Sequence, residues 1–212
     1  MKNPKKLYGY ISEGPKYDLI AKWIGSKKKI LDIGCGVGEF SLRLVSNDNE
    51  VVGVEASEEN FRIASKRLKV YFGDFLEIQF QEEFDIILFA DVLEHMYYPE
   101  QAMKKAWKLC DETILCVPNF ESWFVKLLHL LGIKETKKGI LHKSHVYYFT
   151  KGSIEKMIKD CGFEIINYSS PAPKKIPKLY NHLICINPKL LGFQFIYRCG
   201  KIKEEYKHLY NR

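Results

Sequence analysis

Short apolar runs alternate with segments of helical periodicity along this chain, and glycine or proline stands at many of the changeovers. Few architectures accept that alternation. Strands joined through helices run parallel with right-handed crossovers, and the helices then cover both faces of the sheet. The runs are "KILDI" (29–33), "VVGVEA" (51–56), "KVYF" (69–72), "FDIILFA" (84–90), "TILCVPN" (113–119), "FEIINYS" (163–169) and "GFQFIYR" (192–198). They predict an α/β fold built on a doubly wound, mostly parallel seven-stranded sheet with helices on both faces. The unbroken apolarity of 84–90 suits a strand covered on both sides.

Helices fill the intervals. Pro15 opens one with Tyr17, Ile20, Ala21 and Ile24 on one side, and Gly25 stops it. The next starts near Gly38 and carries Phe40, Leu44 and Val45 inward. Ser57 caps "EENFRIASKRL", and Pro99 opens a helix presenting Ala102, Met103, Ala106 and Leu109. A helix over 121–131 leads into a lysine-rich loop reaching about Ser144. Thr150 caps another, which ends at Gly162, and a short helix covers 178–186. At 212 residues the chain suits one core. It is expected to be a single domain over 1–212, with an N-terminal helical cap at 1–27 and a substrate-side insertion at 120–150.

Three glycines, Gly34, Gly36 and Gly38, follow the first strand in "KKKILDIGCGVGEF". Glycine inside a regular element costs roughly 0.5–1 kcal/mol against alanine, so their clustering implies that something approaches the backbone closely. In doubly wound sheets ligands lie beyond the carboxyl ends of the strands, which is where this turn falls. A dinucleotide turn needs Gly-x-Gly-x-x-Gly, and the third position here holds Glu39. That carboxylate also occupies the helix N-terminus, where a pyrophosphate would sit. A cationic cofactor without phosphates fits better.

"ILDIGCGVGEF" resembles the first motif of the class I S-adenosylmethionine-dependent methyltransferases, and the expected sheet is their Rossmann-like fold. The resemblance implies S-adenosylmethionine as cofactor and S-adenosylhomocysteine as product. It further implies that Gly34, Cys35, Gly36 and Gly38 lie against the methionine part and that Asp32 helps position its amino-acid end. Glu55, with Ala56 beside it, ends the second strand where a carboxylate accepts hydrogen bonds from the ribose hydroxyls. Asp74 in "GDF" is placed against the adenine amino group, with Phe75 beside the ring. "FADVLEHM" (89–96) is similar to the post-strand motif of small-molecule members, where the backbone at Ala90 and Asp91 flanks the methionine moiety. "VPNFESW" (117–123) and "HKSHVYYFT" (142–150) look like a subgroup acting on small molecules or carrier-linked metabolites.

Such chemistry asks the protein chiefly for orientation and a dry site. A general base is needed only where the acceptor loses its proton as it attacks. His145, His95 and Glu94 are the catalytic candidates, the last two expected to open a helix after the fourth strand. A histidine titrates near neutrality, as proton transfer requires. His142 and His145 are three apart, but no carboxylate or cysteine accompanies them in sequence, so no metal is expected. Tyr8, Tyr10, Trp123, Tyr147 and Tyr148 are candidates to line the acceptor pocket.

The expected function is methyl transfer by in-line displacement to oxygen or nitrogen of a small-molecule or carrier-linked acceptor. The alternatives are an RNA or protein methyltransferase and a non-catalytic, cofactor-binding regulatory protein. The formal charge of +7 admits a nucleic-acid partner, but the lysines are scattered and the Asn/Asp-Pro-Pro-Tyr signature is absent. A small-molecule partner is favoured, for a monomer or homodimer. No apolar run approaches the roughly 20 residues of a membrane span, and the N-terminus lacks a signal peptide's apolar core. No membrane partner is expected, and the location expected is cytoplasmic. Six cysteines without a Cys-x-x-Cys pair suggest buried free thiols rather than zinc or disulfides.

Overall fold

The computed structural model describes residues 14–136, 139–171 and 178–202. Tyr8, Tyr10, residues 1–13 of the expected N-terminal cap and several of the scattered lysines lie outside them. The elements are α1 (Pro15–Ile24), β1 (Lys29–Ile33), α2 (Glu39–Val45), β2 (Glu50–Glu55), α3 (Glu58–Ala64), β3 (Lys69–Phe72) and β4 (Phe84–Ala90). A 3₁₀ turn (Leu93–His95) precedes α4 (Pro99–Leu109), β5 (Cys110–Pro118), α5 (Trp123–Leu130) and α6 (Lys151–Asp160). Then follow β6 (Phe163–Ser169), α7 (Lys178–Ile186), α8 (Pro188–Leu191) and β7 (Gln194–Lys201).

The seven strands form one sheet in the order β3-β2-β1-β4-β5-β7-β6. All neighbouring pairs are parallel except those of β7, which runs antiparallel to both β5 and β6. Alternation along the strands divides the core in two. Ile30, Val51, Ile86, Leu88 and Ile114 face Ile20 and Ile24 of α1 and Phe40 and Leu44 of α2. Leu31, Val52, Ile87, Phe89 and Leu115 face Met103 and Ala106 of α4 and Ile154 and Ile158 of α6. Each such side chain contributes about 1.5–3 kcal/mol by leaving water. The chain leaves β1 toward β2 on one side and returns to β4 on the other. This reversal opens a crevice between the β1 and β4 exits.

Three local expectations are corrected. Val45 is 41% exposed, because Ser41 takes the inward position one turn before it and α2 ends there. The helix after β5 begins at Trp123 instead of Glu121, since the Ser122 side chain accepts from the Val125 amide and serves as N-cap. Glu94 and His95 do not open an α-helix. Pro99 starts α4, and the residues before it, Met96 among them, leave helical geometry, as expected ahead of a proline. Capping at Thr150 is found, with a reciprocal bond between Thr150 and Ser153. Cys110, Cys116, Cys161 and Cys199 are buried free thiols, whereas Cys185 is exposed. No helix among the described residues is long and apolar enough to cross a membrane.

Candidate active site

The turn after β1 lies directly against the segment after β4. Gly34 has φ +66°, and a Cβ there would come within 2.7 Å of Val92 Cγ2, so only glycine lets the two segments meet. The Gly34 and Cys35 amides both donate to the Val54 carbonyl, at 2.8 and 3.1 Å. Gly36 donates its amide to Glu55 Oε2 at 2.8 Å, and Ser57 donates to Glu55 Oε1 at 2.7 Å. The Glu55 carboxylate therefore fastens the β1 turn to the β2 exit, and each oxygen keeps a further lone pair. No atom lies within 4 Å of where a Cβ on Gly36 would stand, so the space above this turn is open.

Asp32 sits beneath, 3% exposed, accepting a 2.6 Å hydrogen bond from Ser41 Oγ. Burial raises its carboxyl to about 7, with Ser41 opposing and the Glu55 charge adding to the rise. Burial also pushes the Cys35 thiol up, which argues against a thiolate nucleophile there. Gly38 is the N-cap of α2. Glu39, at the first position of that helix, pairs with Arg67 at 3.3 Å.

At the β4 exit Asp91 has φ +59°, an uncommon conformation for a residue with a side chain. Its carboxylate forms an ion pair with Lys16 of α1 and lies 3.4 Å from both Gln194 Nε2 and Cys116 Sγ. Burial disfavours the Lys16 ammonium, yet Cys116 and Asp91 beside it hold its pKa above the usual lysine value. These contacts pin α1 and β7 to the crevice. Sequence reasoning did not find Lys16 or Gln194, because the pairing joins positions 75 and 103 residues from Asp91.

Glu94 is 1% exposed and its Oε2 has no hydrogen-bond partner. Burial first, and the nearby Asp91 charge second, push its carboxyl well above the ordinary carboxylate range. The Glu94 carbonyl accepts from the Val146 and Tyr147 amides at 2.9 and 3.0 Å. Those bonds bring the 120–150 segment onto the β4 exit. His145 thereby meets His95, with ring centroids 4.8 Å apart. Burial lowers the His145 pKa, and the Ile140 carbonyl opposes that. The three catalytic candidates from sequence are thus brought together, although their roles rest on chemistry beyond this geometry.

Two cavities of about 300 and 410 Å³ share Gly34, Glu55, Val92 and His95 in their walls. They are neighbouring lobes of one crevice, and Glu55 is the carboxylate common to both. The first lobe carries Asp32, Asp91 and Tyr17, with Cys35, Gly36 and Ala90 around them. The second carries Ala56, Asp74, Phe75, Tyr97 and Tyr98. Phe75 is 2% exposed, its ring packed against Phe80 and Phe89. Tyr97 and Tyr98 are the more open aromatics, at 79% and 61%. Their place directly after "LEHM" was the available signal. Trp123, Tyr147 and Tyr148 line neither lobe. An acidic lobe, a carboxylate common to both lobes and an aromatic lobe match an elongated ligand with a cationic end, hydroxyls at its middle and a flat ring.

The profile of the methyltransferase-domain family matches residues 9–168. A putative methyltransferase of Bacillus subtilis is 36% identical over 66 residues, 29% of this chain and 27% of its own. A ubiquinone biosynthesis O-methyltransferase of Psychrobacter arcticus is 26% identical over 151 residues, 64% of this chain and 59% of its own. The matches thus span about a quarter and three fifths of these curated relatives. Magnesium protoporphyrin IX methyltransferase from Synechocystis, solved with bound SAH, has the same fold. Its TM-score is 0.67 at 16% identity, covering 93% of this chain and 92% of that one.

Proposed function

The chain belongs to the methyltransferase-domain family, and we propose that it transfers a methyl group from S-adenosylmethionine to a small-molecule or carrier-linked acceptor, at oxygen or nitrogen. The observation that carries this reading is the two-lobed crevice at the strand-order reversal, with Glu55 common to both lobes. The cofactor, when bound, supplies an electrophilic methyl group on a sulfonium. The chain supplies position. Asp32 and Asp91, the latter shared with Lys16, line the first lobe with carboxyl oxygens that can accept from an ammonium. The free lone pairs of Glu55 accept ribose hydroxyls, and Asp74 with Tyr97 and Tyr98 receives the adenine. His95, in the wall of both lobes, stands where an acceptor would enter.

His145, whose Nδ1 faces the Ile140 carbonyl, presents its Nε2 lone pair on the substrate side, where it can take a proton whenever no cation occupies it. In-line displacement follows from the chemistry of a sulfonium methyl. The direct test is calorimetric titration of the purified protein with S-adenosylmethionine, beside Glu55→Ala. Micromolar binding is expected for the wild type, weakened about 10–100-fold in the variant. That range reflects the loss of hydrogen bonds to a charged group, worth about 1.5–3 kcal/mol. Labelled methyl transfer then separates acceptor classes, and incorporation only into RNA or protein fractions would overturn the small-molecule reading. A folded wild type that binds no cofactor would overturn the whole proposal.

A further inference from the structure

We infer that Glu94, His95 and His145 form a site for one divalent transition-metal cation of the zinc class, at the wall of the crevice, with a coordination position left for an acceptor oxygen. One ligand atom from each residue lies within 4.8 Å of the others. Glu94 contributes a carboxylate whose Oε2 is buried and without a partner. An unpaired polar atom inside a protein costs about 1–3 kcal/mol, so native structures rarely keep one without use.

The histidines carry an independent signature. His95 Nδ1 is 3.1 Å from the Ser144 carbonyl, and His145 Nδ1 is 2.9 Å from the Ile140 carbonyl. A carbonyl only accepts, so His145 Nδ1 carries the hydrogen; His95 Nδ1 also lies 3.2 Å from the Ser144 hydroxyl, which can donate to it or accept from it. In the neutral ring His145 Nε2 is therefore a bare lone pair, and His95 Nε2 is one when the Nδ1 hydrogen points to the Ser144 carbonyl. Metal-binding histidines are held in this way, with the far ring nitrogen donating to a carbonyl or carboxylate that fixes the tautomer and the ring. The frame is braced as well, because the Glu94 carbonyl takes the Val146 and Tyr147 amides and so ties the two ligand-bearing segments together.

Two imidazoles and one carboxylate form a common zinc donor set when a fourth position stays open for water or substrate. Ligands about 2.0–2.1 Å from a tetrahedral ion stand roughly 3.4 Å apart. The three donors must therefore draw in by about 1 Å when the ion binds, which exposed His95 has freedom to do. The expectation of no metal rested on the residues next to His142 and His145 in sequence. The carboxylate and the second imidazole come instead from the turn at Leu93–His95, about 50 residues before His145 in the sequence.

His95 lines both lobes, so an ion held there faces the crevice. An acceptor hydroxyl taking the open position becomes more acidic and releases its proton to water, while the ion fixes its oxygen. That role rests on the methyl-transfer reading, whereas the site itself does not.

The test uses the metal alone. Apo protein is titrated with Co²⁺, read by its visible absorption, and with Zn²⁺ in competition, for the wild type, Glu94→Gln, His145→Ala and the exposed-histidine control His129→Ala. The expected result is one Co²⁺ per chain with a four-coordinate spectrum, displaced by Zn²⁺. Both site variants should weaken binding at least about tenfold, and His129→Ala should leave it unchanged. If Glu94→Gln fails to fold, His145→Ala still decides. Absence of stoichiometric binding by the folded wild type would overturn the inference. Binding unaffected by His145→Ala would place the ion elsewhere and overturn it too. Neither donor nor acceptor is present, so this outcome is separate from that of the cofactor titration.

Discussion

Asp32 sits so deep beneath the acidic lobe that desolvation outweighs its hydrogen bond from Ser41. Its folded pKa of about 7 lies above the ordinary 3.8, so between those values the folded state holds a proton that the unfolded chain has released. Stability from this group is complete below about pH 4 and declines as the pH rises through 7. Between pH 5 and 8 the loss is on the order of 2–3 kcal/mol. Urea unfolding of the wild type and Asp32→Asn across that range reads it out. The wild type should lose stability relative to the variant as the pH rises, and parallel curves would sink the assignment. At this scale the β1 turn, Glu55 and Asp91 were readable because each follows a strand end closely. The meeting of Glu94 with His145 was not, since two backbone hydrogen bonds create it and no apolar periodicity announces them. Lys16 escaped for a related reason: a single lysine near a helix start looks like any solvated one until the fold closes it over Asp91.

Element boundaries followed the apolar periods wherever a strand or helix had one face to bury, and β1 and β4 fall on the expected residues. Capping and proline chemistry decided the rest, as the Ser122 cap that sets the start of α5 and the 3₁₀ turn ahead of Pro99 show. Helix α4 also has a task that no periodicity reveals. Lys105 reaches from it to donate to the carbonyls of Phe75, Leu76 and Ile78, at 2.6, 3.0 and 2.5 Å. That clamp shapes the turn where Asp74 accepts from the Leu76 amide at 2.8 Å, on the wall of the aromatic lobe. Lys105→Met keeps the apolar stem and removes the ammonium. The expected result is faster amide exchange over 73–78 and about tenfold weaker cofactor binding, with exchange in β1 and β4 unchanged. Unaltered exchange over 73–78 would show that the turn holds its shape without the lysine.

For the whole molecule, alternating apolar and helical segments were enough to anticipate seven strands and a mostly parallel sheet. They could not show that β7 enters between β5 and β6 in the opposite direction, because a buried strand has the same apolar pattern whichever way it runs. That insertion matters for function. It carries Gln194 to Asp91, while Lys16 brings α1 to the same carboxylate. The crevice is therefore walled or braced by α1, β1, β2, β4 and β7 together. A ligand that fills it contacts a surface the unfolded chain does not possess, so binding must raise global stability by mass action. At a ligand concentration one hundred times Kd the gain is about 2.7 kcal/mol. For a chain of this size each kcal/mol moves Tm by about 2–4 °C, which gives a shift of about 5–10 °C. Thermal unfolding with S-adenosylmethionine should show it, and Glu55→Ala at the same concentration should lose most of it. A shift equal in both proteins would mean that the ligand stabilises the fold from another surface, and Glu55 would then have no part in holding it. Repeating the scan with a polyanion separates the basic surface from the crevice, since phosphate attraction to scattered lysines fades with added salt whereas the cofactor's shift persists.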